Sequence, residues 1–261
     1  MVQSVQTAVQ PESPVRPLRF MPRAFFISDA HLGLGDRETE AAKERRLVSF
    51  IGHCRGRADF LFILGDLFDA WFEYRTVIPK GYHRLFTALE ELRESGTVIH
   101  YLAGNHDFWM RDFFSADLGI ILHRDPLAIS IGTTSFYLHH GDGLATRDLG
   151  YAILKPILRN RLSVWLYTWL HPDIGIALAR SSSRKSRGYT STKEYGETDG
   201  MRDFARRQIE AGADVVIMGH RHVPVREEIG GGVYVNLGDW IEHNSYAEFD
   251  GTTISLNTWP S

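Results

Sequence analysis

The feature that most constrains the fold is a pattern that occurs five times along the chain. A short run rich in Phe, Ile, Leu, Val or Tyr ends abruptly in a small cluster of Asp, His, Asn and Gly. Continuous apolar runs of this length are typical of strands that are buried on both faces of a sheet. The five runs with their clusters are AFFISDAH (24–31), FLFILGDLFD (60–69), TVIHYLAGNHD (97–107), SFYLHHGD (135–142) and DVVIMGHRH (214–222).

Helical patterns separate several of these runs. Apolar residues recur at three- and four-residue spacing in segments 38–54 and 82–95, and Gly56 and Gly96 follow as stop signals. Alternating strands and helices predict a layered α/β fold, in which functional groups collect on loops at the carboxyl ends of the strands. All five polar clusters occupy that position.

The C-terminal part of the chain has the pattern of further strands. These are segments 231–240, 245–250 and 252–259, with an Asp-Gly turn signal at positions 250 and 251. We predict that they complete a second sheet.

The chain has 261 residues, of which 43% are hydrophobic, and this predicts one sizeable, well-packed domain. We expect residues 1–23, rich in Gln, Ser, Val and Pro, to be a flexible tail, because they lack the apolar stretch of a secretory signal. Residues 24–261 would form the domain, with a helical insert at about 147–207. No apolar stretch approaches the roughly 20 residues that a transmembrane helix requires.

Cysteine usage and charge restrict the possible functions. The single cysteine, Cys54, excludes an internal disulfide and thiolate metal sites, and it favours a cytosolic protein. The segment from Arg147 to Arg207 contains twelve Lys or Arg and only six Asp or Glu, although the whole chain has a net charge of −3. This basic segment is a candidate for binding a phosphorylated substrate or an acidic lipid surface, and a solvated basic helix face is the alternative.

The five polar clusters indicate a metal centre when they are taken together. A single Asp or His at a strand end usually caps a helix, forms a turn or satisfies a hydrogen bond. Here every cluster supplies groups that can bind a metal, and imidazole with carboxylate suits Mn, Fe or Zn. In chain order the motifs are Asp-x-His, Gly-Asp-x-x-Asp, Gly-Asn-His-Asp, His-Gly-Asp and Gly-His-x-His.

This ordered set closely resembles the motifs of the calcineurin-like metallophosphoesterase superfamily and spans residues 29–222. The resemblance implies a β-sandwich flanked by helices, with a helical cap inserted after the fourth motif, and a site for two divalent metal ions. One ion would be bound by Asp29, His31, Asp66 and His222, and the other by Asp66, Asn105, His140 and His220.

The resemblance also implies how such a site works. Two divalent ions roughly 3.5 to 4 Å apart repel each other, and a shared carboxylate, here Asp66, offsets that repulsion while the ions activate a water for attack on phosphorus. Manganese is the implied metal, with iron and zinc as alternatives. His106 would contact the phosphoryl group or protonate the leaving oxygen, with Asp107 orienting it, and a purely supporting role for His106 is the alternative.

Glycines stand beside ligands in four of the motifs. Without a Cβ, such residues let the chain turn sharply and let the backbone approach the ions. Ordinary turn glycine is the alternative. They are Gly65, Gly104, Gly141 and Gly219.

A narrower resemblance rests on GDLFDAW (65–71), GNHDFW (104–109) and HGDGLATRDLGY (140–151). These segments are similar to the UDP-2,3-diacylglucosamine diphosphatase family of lipid A biosynthesis. The resemblance implies a nucleotide-linked lipid substrate, cleaved to UMP and lipid X by a peripheral enzyme on the cytoplasmic face of the anionic inner membrane. The substrate contacts that it implies are Asn105, Asp148, Arg180 and Ser183.

The segment 151–180 has a composition that fits such a substrate. It is crowded with Leu, Ile, Trp and Tyr and carries Lys155, Arg159 and Arg161. Helices that shelter acyl chains or rest on an anionic leaflet have this composition. Ordinary core packing is the alternative.

Other functions on the same scaffold are less compatible with the chain. Many members of the narrower family carry Arg where this chain has His106, so another phosphomonoester, phosphodiester or nucleotide diphosphate is the alternative substrate. Ser/Thr phosphatases typically have Arg-Gly after the second motif, where this chain has Ala70 and Trp71. The chain is therefore not predicted to be a phosphatase of that class. The basic charge lies in one apolar insert rather than along a broad groove, so no nucleic acid partner is predicted. A non-catalytic module on this fold would usually have lost some of the metal ligands, and none is missing here. The sequence leaves the oligomeric state open.

Overall fold

The computed structural model of the protein describes residues 21–144, 160–190 and 200–260. Within these ranges, eleven strands form two sheets. The strands are β1 (Ala24–Ile27), β2 (Phe60–Leu64), β3 (Val98–Leu102), β4 (Ile121–His123), β5 (Leu127–Ile131), β6 (Thr134–His139), β7 (Val215–Met218), β8 (Pro224–Ile229), β9 (Gly232–Leu237), β10 (Ser245–Phe249) and β11 (Ile254–Thr258).

Two of the helices were predicted from apolar spacing, and their observed ends differ from the prediction by one residue at most. The carboxylate of Asp36 caps the first of them by accepting a hydrogen bond from Thr39 N at 2.9 Å. In the described part of the chain, no helix has the length and apolar character needed to cross a membrane. The helices are α1 (Arg37–Cys54), α2 (His83–Glu94), α3 (Arg161–Tyr167), α4 (Pro172–Thr190) and α5 (Gly200–Glu210), with a π-helical turn at Phe113–Asp117.

The first sheet has the strand order β11-β10-β1-β2-β3-β4, and the second has the order β5-β6-β7-β9-β8. Strands β1 to β4 run parallel to one another, as do β6, β7 and β9, whereas the remaining pairs are antiparallel. One apolar cluster, which includes Phe26, Phe62, Phe136 and Ile217, fills the space between the sheets. A second packs α1 and α2 against the first sheet, and a third packs α5 against the second sheet. The expected α/β sandwich flanked by helices is confirmed.

The closing strands are placed differently from the prediction. Only β9 joins the second sheet, whereas β10 and β11 extend the first sheet from the antiparallel edge of β1. The sequence pattern also missed β4, β5 and β8, each of which is the last strand at one side of a sheet. Such strands are covered on fewer sides and therefore lack a continuous apolar run, as the sequence PVREEI of β8 illustrates.

Helices α3 and α4 are attached to the loops that follow β2 and β3. The ring of Tyr167 lies 4.5 Å from that of Phe72 and stacks on Trp109 at 5.7 Å. The Tyr167 hydroxyl donates a hydrogen bond of 2.6 Å to the carbonyl of Gly175, which joins the two helices. These aromatic contacts hold α4 beside the edge of the sandwich at which β2 and β3 end.

A histidine pair at the side of the inter-sheet core makes stability depend on pH. The His100 ring stacks on Phe62, and its Nδ1 lies 2.9 Å from Nε2 of His123. Burial and the neighbouring His123 lower the pKa of His100 from 6.5 to about 4. Between these values the unfolded chain binds a proton that the folded chain does not, so stability is lost as the pH falls from about 6.5 to about 4.

We therefore expect a His100→Phe variant, which keeps the ring stacking, to lose less stability on acidification than the wild type. Denaturant unfolding of both proteins at several pH values, with a chelator present, measures this difference. In the variant, the slope of the unfolding free energy against pH should be smaller by up to about 1.4 kcal/mol per pH unit, which corresponds to one proton. Parallel curves for the two proteins would contradict the prediction.

Candidate active site

The loops after β1, β2, β3, β6 and β7 meet at one edge of the sandwich. Because parallel strands bring their carboxyl ends to the same edge, residues that are distant in sequence become neighbours. His31 and His222, for example, are 191 positions apart and have their Nε2 atoms 3.2 Å apart. All seven predicted metal ligands lie on these loops, namely Asp29, His31, Asp66, Asn105, His140, His220 and His222.

Most of these predicted ligands have a backbone conformation that only glycine adopts readily. Each such residue costs on the order of 1–3 kcal/mol and persists only where the surroundings enforce it. Here the loops after β1 and β2 pair directly with each other. Asp29 N donates a hydrogen bond to Gly65 O at 3.1 Å, and His31 N donates one to Asp66 O at 2.9 Å. Asn244 is the one other non-glycine residue with positive φ in the described ranges. The five strained residues, with φ between 43° and 67°, are Asp29, His31, Asp66, His220 and His222.

One cluster of potential ligand atoms consists of Asp29, His31 and His222. The Oδ1 atom of Asp29 lies 3.4 Å from Nε2 of His222 and 3.7 Å from Nε2 of His31. Asp29 and His31 are buried, and His222 is partly exposed. Three ligand atoms at these separations can contact a single ion.

A second cluster consists of Asp66, His140 and His220. His140 Nε2 lies 3.3 Å from Oδ2 of Asp66 and 3.0 Å from Oδ1 of Asn105, which adds an amide oxygen to the group. The same Oδ2 atom of Asp66 lies 3.7 Å from Nε2 of His31, in the first cluster. One carboxylate oxygen therefore adjoins both clusters.

The buried carboxylates at this edge remain ionised. Burial by itself would raise the pKa of Asp29, but the adjacent imidazole of His31 and the charge of His222 hold that pKa below its ordinary value. Burial acts in the same direction on Asp66, where His140 and His106 hold the pKa well below the ordinary value. Two negative charges therefore lie side by side out of contact with solvent, and such a pair requires compensating cations.

Burial and the neighbouring charges also shift the pKa values of two histidines at the site. Burial lowers the pKa of His140, but the charge of Asp66 and its hydrogen bond outweigh this effect and raise the pKa to about 10. Burial and the charge of His140 lower the pKa of His220 to about 4. The site thus stabilises positive charge close to Asp66, although it is largely closed to water.

The residues present fit divalent metal ions. The Oδ1 atom of Asp29 is buried and accepts no hydrogen bond, which is uncommon for a carboxylate oxygen and leaves a lone pair directed into the first cluster. Carboxylate, imidazole and amide oxygen together form a donor set that suits Mn, Fe or Zn.

His106 lies between the clusters and α4. Its backbone N–H donates a hydrogen bond of 2.9 Å to Oδ1 of Asp66. Its ring Nδ1 lies 2.9 Å from both the carbonyl oxygen of Asp69 and the hydroxyl of Ser183, and the ring is 4.8 Å from that of His31. Burial lowers the pKa of His106.

Asp107 shapes the loop that carries Asn105 and His106. Its carboxylate accepts hydrogen bonds from Gly104 N at 2.8 Å, from Leu67 N at 2.9 Å and from the hydroxyl of Tyr101 at 2.5 Å. These contacts join the loops after β2 and β3 through a buried group. Asp107 thus acts on the backbone of this loop, whereas the ring of His106 contacts Asp69 and Ser183.

Close approach between two loops explains two of the predicted glycines. A Cβ atom on Gly104 would lie 2.1 Å from Oδ1 and 2.6 Å from the backbone nitrogen of Asp66. At Gly65 a Cβ would lie 2.6 Å from Nδ1 of His140, and φ is +85°. The loops after β2 and β3 can therefore come this close only with glycine at these positions.

Comparison with known proteins places the chain in a family. The model of a family described as calcineurin-like phosphoesterase matches residues 22–224. The chain belongs to the calcineurin-like phosphoesterase family. It is a metal-dependent hydrolase of this family, and the His/Asp clusters at this edge are suited to binding divalent metal.

Curated relatives of this phosphoesterase cover nearly the whole chain. A UDP-2,3-diacylglucosamine hydrolase of Porphyromonas gingivalis is 34% identical over 254 residues, which is 90% of this chain and 97% of the relative. A UDP-2,3-diacylglucosamine hydrolase of Pseudomonas entomophila is 34% identical over 220 residues, or 82% of this chain and 90% of the relative. Among solved structures, an archaeal phosphodiesterase is 13% identical with a TM-score of 0.46, covering 90% of this chain and 98% of that one.

The predicted substrate contacts of the phosphoesterase are distributed as follows. Ser183 of α4 is buried, and its hydroxyl donates a hydrogen bond of 2.8 Å to Oδ1 of Asp69. Arg180, one turn earlier, lies beside the hydroxyl of Tyr82. Asn105 belongs to the second cluster, and Asp148 lies outside the described residues.

Two further carboxylates at the site were not predicted from the sequence. Asp69 is buried and has its Oδ1 atom 3.7 Å from Nδ1 of His31. Asp239 is also buried and follows β9; its Oδ2 lies 3.7 Å from Nδ1 of His222. The signal for Asp239 was available, because NLGDW repeats the pattern of an apolar run ending in Gly and Asp.

The carboxylate of Asp239 is held in place beside His222. Its Oδ1 atom accepts backbone hydrogen bonds from three successive residues at 2.8 to 3.0 Å, which leaves Oδ2 for the histidines. Trp240 N donates to Asp29 O at 3.1 Å, so the same segment also contacts the first cluster through its backbone. A carboxylate behind a metal-binding histidine fixes the ring orientation and increases its basicity.

We expect Asp239→Asn to weaken the binding of Mn²⁺ by about 10-fold to 100-fold, because asparagine keeps the shape of the carboxylate but not its charge. Calorimetric titration of the metal-free protein measures this affinity, and thermal unfolding checks the fold. His243→Gln is the matched control, since His243 Nδ1 also lies 3.3 Å from Oδ2 of Asp239 but belongs to neither cluster. Equal affinity in the wild type and in Asp239→Asn would refute the orienting role.

Proposed function

We propose that this phosphoesterase hydrolyses the diphosphate bond of UDP-2,3-diacylglucosamine to UMP and 2,3-diacylglucosamine 1-phosphate. The observation that carries the chemistry is the Asp66 carboxylate, which adjoins both clusters. The substrate is supported by relatives of that name that align with 82–90% of the chain, and by Ser183 of α4, which reaches the same site.

In this proposal each cluster would hold one divalent ion, and Asp66 would be a ligand of both. Manganese is the preferred ion, with iron or zinc as alternatives. When bound, the ions would supply an activated water and neutralise charge on the phosphoryl oxygens. The protein contributes the ligand geometry, which the strained loops enforce. The proposed ligands are Asp29, His31, Asp66 and His222 for one ion, and Asp66, Asn105, His140 and His220 for the other.

His106 is the proposed contact of the phosphoryl group or donor of a proton to the leaving oxygen. Its Nδ1 faces Asp69 O and the Ser183 hydroxyl, so Nε2 is the nitrogen available for this role. Asp107 acts through the loop, because its carboxylate holds Gly104 N and Leu67 N. Asn105, Asp148, Arg180 and Ser183 are the proposed substrate contacts.

The apolar surface of α3 and α4 is the proposed contact for the acyl chains and for the anionic leaflet of the inner membrane on its cytoplasmic side. Large apolar side chains are strongly exposed on these helices and on the loop between them, where Trp169 is 74% exposed. A patch of this kind on a surface helix marks an interaction site. Its members are Leu162, Trp165, Leu166, Trp169, Ile174 and Leu178.

The experiment that tests the proposed function compares substrates under defined metal. Protein loaded with Mn²⁺ should release UMP from UDP-2,3-diacylglucosamine far faster than it hydrolyses a small chromogenic phosphodiester or phosphomonoester. Efficient hydrolysis of the small esters without use of the lipid nucleotide would favour the alternative, a phosphoesterase with another substrate.

The exposed tryptophans give a sharper prediction. We expect the double variant Trp165→Ala and Trp169→Ala to lose about tenfold or more in kcat/KM on the lipid nucleotide, since each ring offers a large apolar area to an acyl chain or bilayer. The loss on the small chromogenic ester should be much smaller. Val98→Ala, at the amino end of β3, is the control for an exposed apolar residue elsewhere. Equal losses on both substrates would mean that the tryptophans serve only folding.

A further inference from the structure

A cleft opens beside the second cluster, and His140 forms part of its wall. Its cavity is about 220 Å³, below the roughly 300–1,000 Å³ of pockets that enclose a whole drug-sized ligand. It therefore suits one part of a substrate. The lining combines three apolar residues with charged and imidazole groups: Leu102, Ala103, Arg124, Asp125, Pro126, His139, His140 and Asp142.

The cleft and α4 adjoin the two clusters through different side chains. His140 Nε2 lies 3.3 Å from Asp66 Oδ2, which lies 3.7 Å from His31 Nε2. The ring of His31 is 4.8 Å from that of His106, which contacts Ser183 of α4. His140, in contrast, forms part of the cleft wall. A diphosphate bound at the clusters would therefore have both surfaces within reach of its two substituents.

The two surfaces differ in chemistry. The exposed face of α3 and α4 is apolar, whereas the cleft presents the exposed carboxylate of Asp125. An acyl chain in the cleft would desolvate this charged group, which is costly. A nucleoside has hydroxyl and N–H donors for it, and carboxylates are common acceptors for ribose hydroxyls.

The wall that carries Asp125 is held in place. The guanidinium of Arg124 donates a hydrogen bond of 2.6 Å to Met110 O and lies 5.8 Å from the centre of the Phe108 ring. Pro126 follows Asp125 and restricts its backbone. Asp125 itself is exposed at the cleft and so is accessible to a ligand. A preformed polar wall of this kind gives orientation without an ordering cost.

We propose that this cleft binds the nucleoside end of the substrate and that Asp125 accepts hydrogen bonds from the ribose hydroxyls. The proposal rests on the proposed function, since it assumes a substrate with a nucleoside at one end of the diphosphate. It assigns the lipid end to α3 and α4, and it makes Asp125 a residue that determines specificity for ribonucleotides.

The test measures binding of UMP and of 2′-deoxy-UMP to the protein loaded with Mn²⁺. The wild type should bind UMP about tenfold more tightly than the deoxynucleotide, which is the expected size of one hydrogen bond to a charged acceptor. In Asp125→Ala this ratio should fall to about one. Asp117→Ala, which removes an exposed carboxylate that does not line the cleft, should keep the wild-type ratio.

The outcomes separate this proposal from the one on which it rests. Release of UMP from the lipid nucleotide, together with the same nucleotide preference in wild type and Asp125→Ala, would overturn the cleft assignment and leave the proposed function intact. A preference that depends on Asp125, in a protein that does not cleave the lipid nucleotide, would support the cleft and refute the substrate. Failure of the wild type to bind UMP would overturn the cleft assignment.

Discussion

Asp66→Asn is expected to reduce hydrolysis by at least about 10³-fold, or roughly 4 kcal/mol in the activation barrier. The Oδ2 atom of Asp66 adjoins both clusters, so the variant removes the one negative charge that two cations would share. Asparagine has the size of aspartate and tolerates the left-handed φ of 53° at this position. The backbone should therefore stay in place while the electrostatic compensation is lost.

The loss of activity should be accompanied by a loss of bound metal. Elemental analysis after dialysis against Mn²⁺ should give fewer ions per chain than in the wild type, and circular dichroism should give an unchanged fold. Asp117→Asn removes a carboxylate that belongs to neither cluster and serves as the control. An Asp66→Asn protein with wild-type turnover would mean that the two clusters are not the reaction centre.

Gly104→Ala is expected to cost at least about 100-fold in kcat and to lower the unfolding temperature, although it removes no potential ligand. The new Cβ would lie 2.1 Å from Oδ1 of Asp66 and 2.6 Å from its backbone nitrogen. The backbone nitrogen cannot move aside as the end of a long side chain would, and Oδ1 is held by the hydrogen bond from His106 N. The loops after β2 and β3 must therefore separate. Small displacements of groups in an active site can cost about 10²-fold in rate.

The control for this substitution is another glycine of the same chain. Gly52 lies in the last turn of α1, and a Cβ there would have no neighbour within 4 Å. Gly52→Ala should therefore keep full activity and raise stability slightly, by at most the roughly 0.5–1 kcal/mol that is gained in a helix interior. Wild-type turnover of Gly104→Ala would show that the reaction tolerates a shift of Asp66.

The sequence alone determined the strands buried on both faces, the two long helices beside them and the set of polar residues that follows five of the strands. Each of these features depends on local pattern. A strand covered on both sides must be apolar throughout, and the loop at its end must turn, which requires glycine or a polar residue. Asp29, His31, Asp66 and the later motifs could therefore be recognised without coordinates.

Tertiary structure alone decided which groups meet. The edge strands β4, β5 and β8 escaped notice because their residues are only partly covered and show no continuous apolar run. Asp239 and Asp69 gain their positions beside His222 and His31 from sheet pairing and from the loops that follow β2 and β9. The contact of Ser183 with His106 spans 77 positions, and the cleft at Asp125 exists between a turn and a distant loop. No local pattern encodes such distances, because they result from the packing of the whole chain.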